Sequence, residues 1–312
     1  MIDDHFQLTK ILGKGGSSKV FLATDSSQQL VAVKTIRSDK KYSQSAAQAL
    51  IDREAQTLAL LEGHPNILRC LHSNCNGRVV VGAKTESVMY NVLEYAQNGA
   101  LSTYIRQTGP LEESLARLFA FQACSAIDHM HSLGLVHLDI KLENILLDEF
   151  FNVKVADLGS CVEASEFSGC SDRRRGTAHY MAPEVAGLQP GEAFRATPAD
   201  VYSLGITMYV MVTGEFPSPH QLKLSVSTTD IDGQSCIESD SDTQSQKSGW
   251  SQISPELRTL LQAMMDPEPC KRPLISEVLS SWWFDVEFNQ EIMEEAYCEM
   301  ASRKAYIEKL SM

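Results

Sequence analysis

No apolar run in the sequence is long enough to cross a bilayer: the longest, 206–212 with Thr207 inside it, falls far short of the roughly 18 residues a spanning helix needs. No transmembrane helix and no membrane partner are therefore expected. Positive charge is also short, with 27 Lys and Arg against 40 Asp and Glu, a formal net charge of -13. A nucleic-acid binder that works by releasing counterions needs the opposite balance, so no nucleic-acid partner is expected. Eight cysteines are spread through the chain with no Cys-x-x-Cys pair, and the chain is too long for a small disulfide scaffold. They read as reduced thiols, without a zinc site. The first residues, Met1-Ile2-Asp3-Asp4-His5, lack the basic start of a secretory signal, and Ile2 stands where myristoylation needs a glycine, which sets a cytoplasmic or nuclear expectation.

What is present suits a folded protein. At 43% hydrophobic residues, 312 residues can bury one or two cores. Short, β-branched runs at 6–13, 20–25, 30–36 and 88–95 are bounded by Gly, Ser or Asn and read as strands. A helical pattern at 45–62 interrupts them, carried by Ala49, Leu50, Leu58 and Leu61 and stopped at Gly63-His64-Pro65. From 111 to 133 a longer helical pattern begins a mostly helical remainder, broken by short strands near Val136, 145–147 and 153–155. The expected fold class is α+β, with a strand-rich part before a helix-rich part and a joint near Asn98-Gly99. Residues 221–252, rich in Ser, Thr, Gln and Asp, read as a solvated connection. Residues 285–312 read as an acidic helix with Ile292, Ala296, Met300 and Ile307 along it. Its apolar face either docks on the body, or the helix frays or waits for a regulatory partner.

Three clusters carry chemistry. Gly13-Lys14-Gly15-Gly16-Ser17-Ser18-Lys19-Val20 lies between two strand patterns, where a glycine-rich hairpin can offer backbone N–H groups to phosphates. By itself it is only a hairpin, and no Gly-Lys-Ser/Thr follows at the spacing of a Walker loop. Lys34 ends the apolar strand Val31-Ala32-Val33, and a lysine buried there needs a carboxylate, for which Glu54 on the next helix is placed, although by themselves the two residues read equally as unrelated surface charges. The third cluster is the most specific: His137-Leu138-Asp139-Ile140-Lys141-Leu142-Glu143-Asn144, then Asp157-Leu158-Gly159. Two carboxylates, a lysine and a carboxamide are what in-line phosphoryl transfer from a magnesium nucleotide requires. One carboxylate orients the hydroxyl, hard oxygens hold the metal, and a cation meets the developing charge.

In these motifs, their order and their spacing, the sequence resembles the eukaryotic protein kinase family from about residue 6 to residue 284. The resemblance implies a bilobal fold with a small antiparallel-sheet lobe at 6–96, a larger helical lobe at 97–284 and a helical tail at 285–312. It implies ATP and Mg²⁺ as cofactors and protein substrates as partners. By residue, it makes Asp139 the catalytic base and Lys141 the lysine on the transferring phosphoryl group, with Asn144 and Asp157 as metal ligands. Gly13, Gly15 and Val20 match the glycine-rich loop, with Ser18 where a third glycine is usual, and Lys34 and Glu54 match the phosphate-anchoring lysine and its helix partner. Leu93 resembles the gatekeeper; the backbone of Glu94 and Ala96 would meet the adenine edge, between apolar faces from Val20, Ala32 and Leu146. The stretch 176–184 resembles the end of the activation segment, Glu184 should pair with Arg272, and Asp200 should anchor the catalytic loop. Lys141 two residues after Asp139, together with Thr177, is the serine/threonine pattern, and the style of the hinge and second lobe is most similar to the calcium/calmodulin-related and metabolic-stress kinase groups.

Departures narrow the reading. Leu138 replaces the arginine of relatives that are switched by activation-segment phosphorylation, and a leucine cannot pair with a phosphate. Phosphorylation there is thus not expected to be the main switch, although Ser165, Ser168 and Ser171 are available and Arg173, Arg174 and Arg175 could bind a phosphate. Leu158 for the usual Phe keeps an apolar plug beside Asp157. Ala100 stands where basophilic relatives often carry an acid, though Glu143 lies near the expected substrate groove, so only a mild preference for basic substrates follows. The tail carries more acid than base, and calmodulin binding is not expected. The competing reading is a pseudokinase scaffold, the same fold binding nucleotide without efficient transfer; it predicts a vacancy among Lys34, Asp139, Asn144 and Asp157, and none is vacant. A small-molecule kinase of similar fold is argued against by the match at 176–184.

Overall fold

A computed structural model describes residues 1–15, 18–36, 43–81, 84–164, 176–189, 192–218, 222, 249–251 and 253–310. In chain order the strands are β1 (Gln7–Lys14), β2 (Ser18–Thr24), β3 (Leu30–Ile36), β4 (Cys70–Val81), β5 (Lys84–Glu94), β6 (Gly99–Ala100), β7 (Leu135–Val136), β8 (Ile145–Leu147), β9 (Val153–Val155) and β10 (Val162–Glu163). The helices are α1 (Gln44–Leu60), α2 (Leu101–Thr108), α3 (Glu113–Ser132), α4 (Pro183–Ala186), α5 (Ala196–Thr213), α6 (Pro255–Met264), α7 (Ile275–Leu279) and α8 (Gln290–Leu310). The chain forms two compact units, each assembled from separate stretches: Met1–Thr103, Ser125–His137 and Leu142–Glu163 in the first, Tyr104–Cys124, Leu138–Lys141 and Ala164–Met312 in the second. This partition differs from a single cut after residue 96, because residues 125–137 and 142–163 make their contacts with the first unit.

The first unit is built on a five-stranded antiparallel sheet in the order β1-β2-β3-β5-β4. Side chains alternate between the faces of a strand. On one face Val31, Val33, Val79, Val88, Tyr90 and Val92 pack with Ile2 and Ala23, and on the other Ile36 and Met89 pack with Ala47 and Ile51 of α1. Because β3 is covered on both faces it reads as a continuous apolar run, and Lys34 falls on the α1 side. Ser43 caps α1 by accepting the N–H of Ala46.

Strand β4 does not announce itself in the sequence. Its Asn74, Asn76 and Gly77 are turn residues by type, and the ladder absorbs them with irregularities at Cys70/His72 and Asn74/Gly77. Gly77 is required there, since a Cβ would come within 2.4 Å of the Tyr90 ring. Small sheets β6-β8-β9 and β7-β10 complete the first unit.

The second unit centres on α5, which is buried nearly all round, as its apolar sequence demands. Helix α8 docks within this unit: Ala296 and Met300 are buried, and Ile292 and Ile307 are half-buried. Arg303 of α8 donates to Thr108 Oγ1 and to the carbonyls of Gly109 and Pro110, satisfying groups just beyond the end of α2.

No helix among the described residues is long and apolar enough to cross a membrane. Cys70, Cys75, Cys124, Cys161, Cys270 and Cys298 are free thiols, and no group of three or more His, Cys, Asp or Glu among the described residues could hold a metal. Most of the polar segment 221–252, Ser165, Ser168, Ser171 and Arg173 to Arg175 lie outside the described residues.

Candidate active site

In the first unit Lys34, Glu54 and Asp157 come together. Lys34 Nζ lies 2.6 Å from Glu54 Oε1 and 2.7 Å from Asp157 Oδ1. Glu54 is buried on the inner face of α1, so the pair that a lysine on an apolar strand demands is formed. Burial alone would lower the lysine's affinity for its proton, but the two carboxylates outweigh it and hold the Lys34 pKa above that of a free lysine. The ammonium stays charged. Asp157 adopts a left-handed backbone, φ 60 and ψ 63, and starts a 3₁₀ turn whose Leu158 is wholly buried as the plug beside it. The Ala156 N–H donates to the Asn144 carbonyl at 2.9 Å and Ile145 pairs with Val155, so Asn144 and Asp157 stand at the same end of the β8–β9 ladder.

The glycine-rich stretch forms the β1–β2 hairpin, with Gly13 opposite Val20 and the Gly15 N–H donating to the Ser18 carbonyl; Gly16 and Ser17 lie outside the described residues. Ala32 faces Leu93 across β3 and β5, both buried, and Val20 and Leu146 are half-buried. The Glu94 carboxylate points to Arg69 and Lys154, at 2.9 and 3.2 Å. Its N–H donates to the Arg69 carbonyl, while the Ala96 carbonyl accepts from Gly99.

In the second unit Asp139, Lys141 and Thr177 close a triangle. Lys141 Nζ donates to Asp139 Oδ2 at 2.6 Å and to Thr177 Oγ1 at 2.8 Å, and the Thr177 hydroxyl donates to Asp139 Oδ1 at 2.9 Å. The loop is held from beneath: wholly buried Asp200 of α5 accepts the Leu138 N–H at 2.8 Å, fixing Leu138 in a left-handed conformation at φ 61. Gly176 has φ +105, and a Cβ there would lie 2.9 Å from the Leu138 carbonyl, so only glycine lets the segment bearing Thr177 come this close. Arg272 forks onto Glu184 with bonds of 2.6 and 2.8 Å, as expected from sequence.

A family model described as the protein kinase domain matches residues 6–284. The chain belongs to the protein kinase domain family. Relatives include "CBL-interacting protein kinase 11" of Oryza sativa subsp. japonica, 32% identical over 94% of this chain and 54% of its own length. "CBL-interacting protein kinase 31" of the same organism is 30% identical over 94% of this chain and 60% of its own. "CBL-interacting serine/threonine-protein kinase 13" of Arabidopsis thaliana is 32% identical over 91% and 52%. The chain spans a little over half the length of these curated relatives.

For a protein kinase domain, the five-stranded antiparallel sheet and the helix-rich second unit are the fold expected from sequence. By unit, Gly13, Gly15, Val20, Ala32, Lys34, Glu54, Glu94, Ala96, Asn144, Leu146 and Asp157 belong to the first, and Asp139 and Lys141 to the second. Two participants escape sequence reasoning. Thr177 reads there only as a mark of specificity, yet its hydroxyl bridges Asp139 and Lys141. Asn91 carries no motif, although a lone carboxamide inside the apolar run 88–93 is a signal in itself.

Proposed function

We propose that this chain is an ATP-dependent serine/threonine protein kinase that transfers the γ-phosphoryl group to hydroxyls of protein substrates. The observation that carries this reading is the Lys34 ammonium held at 2.6 and 2.7 Å by Glu54 and Asp157, a preorganised cation for nucleotide phosphates. The β1–β2 hairpin carries the glycine-rich stretch that would lie over the phosphates. The Glu94 N–H and the Ala96 carbonyl are engaged within the chain, and the Glu94 carbonyl and the Ala96 N–H are the groups that would meet the donor and acceptor of the adenine edge. Val20, Ala32 and Leu146 supply its apolar walls.

Asn144 and Asp157 offer hard oxygens from one end of a ladder, which fits Mg²⁺, an ion that keeps several waters and takes one or two protein ligands beside phosphate. When bound, the ion neutralises charge on the phosphate oxygens. The chain's own residues do the rest. Asp139 orients the acceptor hydroxyl and takes its proton as the hydroxyl oxygen bonds to the γ-phosphorus, the bond from that phosphorus to the bridging oxygen breaks, and ADP leaves. That Asp139 already accepts an O–H from Thr177 at 2.9 Å supports this role. Lys141 meets the charge on the transferring oxygens. The relatives' names, which describe them as interacting with CBL, motivate a regulatory protein partner here too, with residues 285–312 as its candidate ground.

The test is transfer of labelled γ-phosphate to a serine/threonine peptide library, with Asp139→Asn beside the native chain. Native transfer should fall by about 10²- to 10⁴-fold in the variant, the contribution of a positioned general base. Label unchanged in Asp139→Asn overturns the assignment of the base, and nucleotide binding without any transfer by the native chain establishes the scaffold reading instead.

A further inference from the structure

Lys34, Asn91 and Ser73 lie in one row across the sheet of the first unit: Lys34 on β3 is the partner of Asn91 on β5, and Asn91 is the partner of Ser73 on β4. Directly opposed residues share a face. The neighbouring rows of the same face are apolar, Ile36 opposite Met89 and Ala32 opposite Leu93. Asn91 is 0% exposed, and a carboxamide buried among such neighbours is costly unless its polar atoms are bonded. They are. Its Oδ1 accepts the Ser73 hydroxyl at 2.7 Å, and its Nδ2 donates to Glu54 Oε2 and to the Ile51 carbonyl, both at 3.3 Å. A carboxylate and a carbonyl can only accept, which fixes the amide in this orientation.

Glu54 thus has one oxygen on Lys34 and the other on Asn91, and α1 is gripped at two points three residues apart. We propose that Asn91, bonded to Ser73, is a positioning residue that holds α1 where Glu54 meets Lys34, so that the phosphate-anchoring pair is set by a polar row inside the sheet. The proposal rests on the kinase reading of this site. Without Asn91 the second carboxylate oxygen of Glu54 would face apolar side chains, and burial would then favour swinging the carboxylate, with α1, away from Lys34.

The test uses the full chain with Asn91→Leu, Ser73→Ala and Lys34→Met, following kcat, KM for ATP, KM for peptide, and backbone hydrogen exchange of α1. Asn91→Leu should lower kcat/KM for ATP about tenfold, equivalent to about 1.4 kcal/mol, with KM for peptide unchanged and faster exchange in α1. Ser73→Ala, which leaves the buried Asn91 Oδ1 without its donor, should show the same pattern at about threefold. Native ATP kinetics in Asn91→Leu, or an equal loss towards both substrates, overturns the proposal. Should Asn91→Leu fail to fold, Ser73→Ala decides by the same criteria. Transfer that survives Lys34→Met refutes instead the kinase reading beneath it.

Discussion

Replacing Glu184 by alanine tests whether the Arg272 fork is a structural keystone of the second unit. The Arg272 side chain is 0% exposed and that of Glu184 16%, so the pair is buried and not a screened surface contact. Removing one member of such a pair usually costs about 3–5 kcal/mol, because the other charge is stranded. Here the stranded guanidinium keeps partners: Nε donates to the Asp266 carbonyl at 2.8 Å, Nη1 to the Pro198 carbonyl at 2.9 Å, and the Tyr202 ring lies 4.9 Å from its centre. The loss should therefore fall at the low end, about 3 kcal/mol. At about 2–4 °C per kcal/mol for a unit of this size, Tm should drop by about 6–12 °C at neutral pH. Glu184→Gln, which keeps one acceptor and loses the charge, should cost about half as much. A double-mutant cycle with Arg272→Met should show strong coupling, the double variant being less unstable than the sum of the singles. A drop under about 2 °C for Glu184→Ala, or additive effects in the cycle, would refute this account.

Glu113 gives a pH dependence. Burial pushes its carboxyl up, but donors from the Ser254 hydroxyl and N–H and the Trp283 indole, with the Arg117 charge, more than reverse this and hold it below its ordinary value of 4.5. The unfolded chain then takes up this proton at a higher pH than the folded one, so stability present above pH 4.5 is lost as the pH falls below it towards the depressed value. Glu113→Gln should be less stable at pH 7 and should lose part of the acid-induced fall in Tm; an unchanged acid slope would contradict the assignment. Arg303→Ala removes the donors to Thr108, Gly109 and Pro110 and should cost about 2 kcal/mol, with faster hydrogen exchange across α8. Native exchange rates in α8 would show that its apolar contacts alone hold it.

Local chemistry makes part of this readable from sequence. The β-branched run at 30–36 is β3 as bounded from sequence, the helix expected over 45–62 is α1 at Gln44–Leu60, and that over 111–133 is α3 at Glu113–Ser132. Lys34 to Glu54 is expected through the family resemblance, and the apolar strand around Lys34 supplies the physical reason that the lysine must be neutralised. What stays hidden depends on pairing across distance. Strand β4 carries turn residues that only its partner β5 holds in a ladder, and Ile2, at a terminus that composition leaves free, is fully buried and bridged to Val79. The row Lys34–Asn91–Ser73 exists only once the register of three strands is fixed, and the register is set by burial of whole faces, not by any short motif.

Exposure decides how the two carboxylates around Lys34 divide their work. Glu54 is 3% exposed at its side chain and Asp157 is 50%, yet their distances to the same ammonium differ by only 0.1 Å. In a buried setting an unpaired carboxylate is costly, so Glu54 must keep Lys34 and Asn91 at every stage. Asp157 faces water, where charge is screened and a partner can be exchanged at little cost. In the proposed reaction Asp157 is thus the group able to turn from lysine to an incoming cation while the Lys34–Glu54 pair stays in place. The same reasoning explains why the polar row backs Glu54: a carboxylate cut off from solvent needs its second oxygen bonded inside the protein.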